Sequence, residues 1–109
     1  MVKQGDIILI DFDPVKGHEQ GKKRPALVIS SDKFNKACSG LALVCPISHA
    51  NNFPYHLTLP EGLKTDGKVL CQHVRTFDVK TRGYTLMERV PGDFLNYVIS
   101  VVETILEMQ

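Results

Sequence analysis

Cysteine is scarce in this chain and badly spaced for structural use. Cys38, Cys45 and Cys71 are odd in number and no two form a CxxC pair. That argues against a disulfide framework and against a thiolate zinc site, and it points to reduced thiols in a cytoplasmic protein. No run of about 18 uninterrupted apolar residues occurs, so no membrane span is expected. The opening MVKQGDIILIDF meets acidic residues too soon for a secretory signal. An excess of one charge is also missing: 13 Lys and Arg stand against 12 Asp and Glu, a formal net charge of +1, which does not by itself advertise a nucleic-acid binder. Zincin, P-loop, dinucleotide and nucleophile-elbow motifs are absent, and His18, His49, His56 and His73 are scattered. Nothing supports a cofactor or a metal.

What is present is a chain of 109 residues, 43% of them hydrophobic, long enough for a single domain (1–109) with a real core. DIILIDF (6–12) mixes β-branched residues with alternation and reads as a strand, and ALVIS (26–30) as a second. Pro25 lacks an amide donor, so it belongs at a strand's start or edge, and it pushes Arg24 into an extended conformation. SDKFNKACSG (31–40) allows one helical turn capped by Ser31 or Asp32. LALVCPI (41–47) reads as a strand buried on both faces, SHANNFPY (48–55) as a loop, and HLTLP (56–60) as a short strand. After the turn-rich EGLKTDG, KVLCQHVRTFDV (68–79) reads as a strand bending near Arg75; a turn at Arg82 and Gly83 leads into the strand YTLMERV. From Pro91 the period changes: Phe94, Leu95, Val98, Ile99, Val101, Val102, Ile105 and Leu106 recur at helical spacing. Many short strands followed by one helix make a mainly β protein, a compact antiparallel sheet or small barrel with the helix packed on it. The helix carries more apolar residues than one stripe needs, so it is either deeply buried or part of a dimer interface.

The loop between the first two strands gathers His18, Glu19, Gln20, Lys22, Lys23 and Arg24 between Gly17 and Pro25. A local basic patch on a near-neutral protein suits a brief encounter with a polyanion. One metal-free chemistry needs only such side chains. RNA carries its own nucleophile in the 2′-hydroxyl; its cleavage calls for a proton acceptor, a cation for the phosphorane and a donor to the 5′-oxygen. Beyond this loop, Ser48 and His49 follow the apolar strand, and Gln72, His73 and Arg75 lie on a later one.

The order of these pieces matters more than their types. DFDP, GHEQ, RPALV, a strand reaching CPIS, and then NNF resemble the MazF/PemK family of toxins, and VRTFD followed by RG and ERVP resembles its PemK/Kid branch. The similarity runs from about Gly5 to Leu106. It implies an SH3-like antiparallel barrel of the CcdB/PemK type with a C-terminal helix, assembled as a homodimer. It also implies a metal-independent endoribonuclease that cuts single-stranded RNA, such as mRNA, at a short sequence, leaves a 2′,3′-cyclic phosphate and a 5′-hydroxyl, and is neutralised by a cognate antitoxin. By position, Arg24 would stabilise the transition-state phosphate and Ser48 would stand where such toxins have a threonine; His18 and Glu19 are candidate bases. Gln20, Lys22, Lys23, Asn51, Asn52, Phe53, Gln72 and Arg75 would bind RNA. In the Kid branch an arginine and an aspartate with acid and base roles stand where this chain has Leu70 and Gln72, so that version of the mechanism does not carry over. His73 would point away if Gln72 faces RNA, because neighbours on a strand alternate. Two non-enzymatic alternatives share the fold: an SH3-like binding module, and a gyrase poison such as CcdB. The latter relies on a Trp-Gly-Ile ending, whereas this chain has no Trp and ends Leu-Glu-Met-Gln.

Overall fold

The computed structural model describes residues 1–12 and 23–109. The described residues form seven strands: β1 (Asp6–Asp11), β2 (Lys23–Val28), β3 (Leu41–Ser48), β4 (His56–Thr58), β5 (Lys68–Leu70), β6 (Arg75–Asp78) and β7 (Thr85–Arg89). All pairings are antiparallel, in the order β4-β5-β3-β2-β1-β7, with β6 also paired to β3. This is the barrel-like, mainly β architecture expected, although among the described residues the two ends of the sheet, β4 and β7, do not pair.

Alternation divides each strand between two cores. Ile7, Leu27, Cys45, Ile47, Leu57 and Val69 pack on one face against Val98 and Val102 of the C-terminal helix α3 (Gly92–Ile105). Ile8, Ile10, Ala26, Val28, Ala42 and Val44 pack on the other with Val2, Phe77 and Val79. β3 supplies both cores, which is why LALVCPI is almost wholly apolar. Each large aliphatic chain so buried contributes about 1.5–3 kcal/mol. Burial pushes the thiols of Cys45 and Cys71 up to about 12 and about 11, so both stay protonated core residues.

Several boundaries differ from expectation, each for a local reason. β2 starts at Lys23, and Pro25 lies inside it, opposite Leu9 of β1. Its ladder with β3 begins only at Ala26, so Pro25 borders one partner strand and its missing amide costs nothing there. The expected strand 68–79 is broken: β5 and β6 flank the same side of β3, and Cys71–His73 forms a 3-10 turn between them. That turn lies alongside Cys45 and Pro46, and Pro46 has no amide to offer a partner. Val79 leaves β6 for a helical turn, α2 (Val79–Arg82), capped by Asp78, which accepts from the Thr81 amide at 3.1 Å and the Thr81 hydroxyl at 2.9 Å. The helical turn α1 (Asp32–Ala37) is capped by Ser31 as expected, the Phe34 amide donating to its hydroxyl at 3.1 Å. Pro91 is the residue just before α3. Deep burial of α3 is not observed: Val98 and Val102 are buried, whereas Tyr97 is 55% and Ile105 40% exposed.

Candidate nucleic-acid interface

β2 and β3 run past one another with Ala26 opposite Pro46. Two residues further along this register, Arg24 comes across from Ser48. Ser48 is paired in turn with Lys68, and Lys68 with Thr58. A polar row therefore crosses four strands, Arg24–Ser48–Lys68–Thr58, in which Ser48, Lys68 and Thr58 are ladder partners about 4.5–5.5 Å apart at Cα and Arg24 stands beyond the last residue of β2 paired with β3. All four side chains alternate away from the α3 core, because Ile47, Val69 and Leu57, the neighbours of Ser48, Lys68 and Thr58, belong to it, as does Leu27, an odd three residues on from Arg24. The row continues, at the open end of the sheet, the face that Ile10, Ala26 and Val44 bury elsewhere. Arg24 and Ser48 also border one cavity of about 400 Å³, which wraps the strand ends and includes Pro25, His49 and Thr65. The two residues expected to act on phosphate are thus brought together. Lys23, by alternation, stands on the opposite face.

The same face gathers cations. Arg75, opposite Val44 on β6, lies with its guanidinium 4.4 Å from the centre of the Phe77 ring; Arg82 lies 4.8 Å from that ring and donates to the Asp11 carbonyl at 2.7 Å. Phe12 packs edge-on to Phe77 at 4.9 Å. Such stacking orients a guanidinium while leaving it charged. Among the described residues, no carboxylate comes within ion-pair distance of Arg24, Lys68 or Arg75; the ion pairs there are His49–Asp66 and Arg89–Asp6. A positive, incompletely neutralised face on a protein of net charge +1 fits a polyanion.

Beyond Lys68, whose ammonium holds the Ala50 carbonyl at 2.7 Å, the loop of residues 49–55 carries Asn51, Asn52 and Phe53, all exposed. Phe53 is 52% exposed, and its ring centre lies 5.1 Å from that of His56. His56 binds the Asn51 carbonyl through Nδ1 at 2.8 Å and Gln72 through Nε2 at 2.7 Å. Gln72 is therefore joined to the Asn51–Phe53 loop through a residue that no motif singled out. The pairing of His56 with Leu70 places it beside the turn carrying Gln72, and that register is invisible in one dimension. The alternation rule applied to Gln72 and His73 fails, since both lie in the 3-10 turn rather than on a strand, and both are exposed. His18, Glu19, Gln20 and Lys22 lie outside the described residues.

A second loop closes the cavity from the β7 side. Glu88 accepts hydrogen bonds from the Lys64 amide at 3.0 Å, the Thr65 amide at 2.6 Å and the Thr65 hydroxyl at 2.6 Å, while Lys64, Thr65 and Asp66 line the cavity. The Thr65 hydroxyl, helped by both amides against the cost of burial, holds the Glu88 carboxyl below its ordinary value of 4.5. A depressed folded pKa gives stability that is present above the ordinary value and lost as pH falls through the folded one. Glu88→Gln is accordingly expected to lower the melting temperature at neutral pH. The gap to the unmodified protein should narrow on acidification below about 4.5, as thermal melts across a pH series would show. A gap independent of pH would mean that the ionised carboxylate does not hold this loop.

A small, barrel-like antiparallel sheet with a polar, cationic row at one open end is a framework that suits a polyanion. Its kind is more definite. A profile described as PemK-like, MazF-like toxin of type II toxin-antitoxin system matches residues 3–106, and the chain belongs to that family. Endoribonuclease PemK of Escherichia coli is 36% identical over 110 residues, covering 96% of this chain and 82% of PemK. The endoribonuclease toxin MazF of Escherichia coli K12 is 31% identical, covering 94% and 91%. Among solved structures, a MazE–MazF complex from Deinococcus radiodurans superimposes with a TM-score of 0.87 at 35% identity, over 99% of this chain and 97% of that one.

Proposed function

We propose that this chain is the toxin of a toxin–antitoxin pair, an endoribonuclease that cuts single-stranded RNA at a short sequence and so arrests translation and growth. The observation that carries the site is the placement of Arg24 across from Ser48 on a cationic face that ends in exposed amides and a ring. Arg24 supplies the charge for the pentavalent phosphate, and the Ser48 hydroxyl hydrogen-bonds a phosphate oxygen. The 2′-hydroxyl is the nucleophile, so the 5′-oxygen leaves and the phosphate closes into a 2′,3′-cyclic ester. His18 and Glu19 are the proton carriers of this scheme, and Gln20, Lys22 and Arg75 give it charge and hydrogen bonds along the RNA, whereas Lys23, on the opposite face of β2, takes no part in this contact. Asn51, Asn52 and Phe53 offer amides and a ring to unpaired bases.

The antitoxin is a separate chain, as MazE is to MazF in the Deinococcus complex. An acidic, disordered segment folding onto the same cationic face would neutralise the toxin by competition. The working unit is a homodimer in the cytoplasm, a reading supported by the apolar Leu86, Met87, Tyr97 and Leu106 left exposed on one copy. The deciding experiment incubates purified protein with a long RNA in EDTA and maps the fragment ends. Discrete cuts bearing cyclic phosphate are the expected result. Intact RNA would return the chain to the binding-module reading, or, with gyrase blocked, to that of a gyrase poison.

A further inference from the structure

The bond network around His56 sets the chemistry of a neighbouring side chain. A backbone carbonyl only accepts, so the Asn51 oxygen 2.8 Å from Nδ1 requires the imidazole proton to sit on Nδ1. In the neutral ring Nε2 is then an acceptor, and it takes an N–H from the Gln72 amide at 2.7 Å. One amide nitrogen is thereby committed inward, and the Gln72 carbonyl oxygen has no hydrogen bond among the described residues. Gln72 is itself exposed, and the largely bare Phe53 ring lies against the same imidazole. A ring face beside a fixed in-plane acceptor is the pairing that recognises an unstacked base: one surface to stack on, one atom to accept from its edge.

We propose that His56 is a positioning residue that holds the Gln72 amide with its oxygen outward, so that Gln72 selects a base presenting an exocyclic amino group beside Phe53. The inference rests on the RNA-cleaving function proposed above and adds the reader of one nucleotide. Gln72 keeps the hydrogen-bond acceptor that an aspartate would present at this place, but neither its charge nor its ability to take up a proton. It therefore serves recognition rather than acid–base chemistry.

The test is cleavage of a randomised RNA pool, with the cut sites sequenced, by the unmodified protein and by His56→Phe, His56→Gln and Gln72→Leu. His56→Phe keeps a ring against Phe53 but frees the amide. It should flatten the preference at one nucleotide position, by about three- to tenfold for a single hydrogen bond, and leave the other positions as they were. Gln72→Leu should flatten the same position, and adding His56→Phe to it should do nothing more at that position. His56→Gln restores an acceptor near the place of Nε2 and should recover much of the preference. If His56→Phe lowers cutting at all sequences in parallel, or leaves the pattern unchanged, or adds to Gln72→Leu, the positioning role is wrong while the nuclease site stands. If the unmodified protein cuts no RNA, both readings fall together.

Discussion

Arg24→Ala is expected to lower kcat/KM for RNA cleavage by about 10²- to 10³-fold, the usual cost of removing one preorganised group that meets developing charge. Stability should change by no more than about 0.5 kcal/mol, since Arg24 is exposed and has no ion pair among the described residues. The separation of the two effects follows from the fold. The backbone at position 24 is held in β2 opposite Ile10, and Pro25 restricts it further, so the guanidinium leaves from a settled point. Arg24→Lys should restore only part of the rate, because an ammonium presents a point charge where a guanidinium presents a planar fork. Ser48→Ala removes a hydrogen bond to a charged group and should cost less, about 10- to 100-fold. Fragment analysis under single-turnover conditions, beside thermal melts of each variant, checks all three. An Arg24→Ala protein that cuts RNA at an undiminished rate would remove the phosphate role from this residue, and with it the reason for placing the active site at this end of the sheet.

Much of this arrangement was legible in one dimension. Alternation in DIILIDF and the doubly apolar LALVCPI gave β1 and β3 because a period of two has one physical origin, the pleat. The stripe of Val98 and Val102 gave α3 for the same kind of reason, at 3.6 residues per turn. Arg24 and Ser48 could be named from the residues around them, because RPALV and CPIS stand in family order. What local patterns did not contain was register. The break at Cys71–His73 depends on β5 and β6 sharing one side of β3, and nothing between residues 68 and 79 announces that strand as the partner of both. His56 went unassigned for the same reason. A histidine opening a three-residue strand has no distinguishing spacing, and only the pairing with Leu70 brings it to Gln72. The apolar surplus of α3 was ambiguous because a sequence records how many apolar residues a helix has, not whether a partner covers them.

Register also gives one glycine an influence on the site that its own position does not suggest. Gly67 adopts φ +122, a conformation that L side chains rarely take, and a Cβ built on it would sit 3.0 Å from the Ser48 carbonyl oxygen and 3.3 Å from its carbonyl carbon. Gly67→Ala must therefore strain its own backbone, at about 1–3 kcal/mol, and push on the main chain of Ser48. The carbonyl cannot yield alone, because Ser48 is paired with Lys68, next in sequence to Gly67, while the Gly67 carbonyl holds the Leu59 amide at 3.0 Å. Displacing the hydroxyl by a fraction of an ångström is expected to cost about 10- to 100-fold in kcat/KM, the scale set by near-attack geometry. Gly62→Ala provides the matching control. Its φ of +95 is similarly unfavourable for a side chain, yet nothing lies within 4 Å of the added Cβ. Gly62→Ala should thus lose stability to a comparable extent and keep its rate, whereas Gly67→Ala should lose both. Equal rates in the two variants, measured at a temperature where both are folded, would mean that the Ser48 hydroxyl is not needed where β3 now holds it.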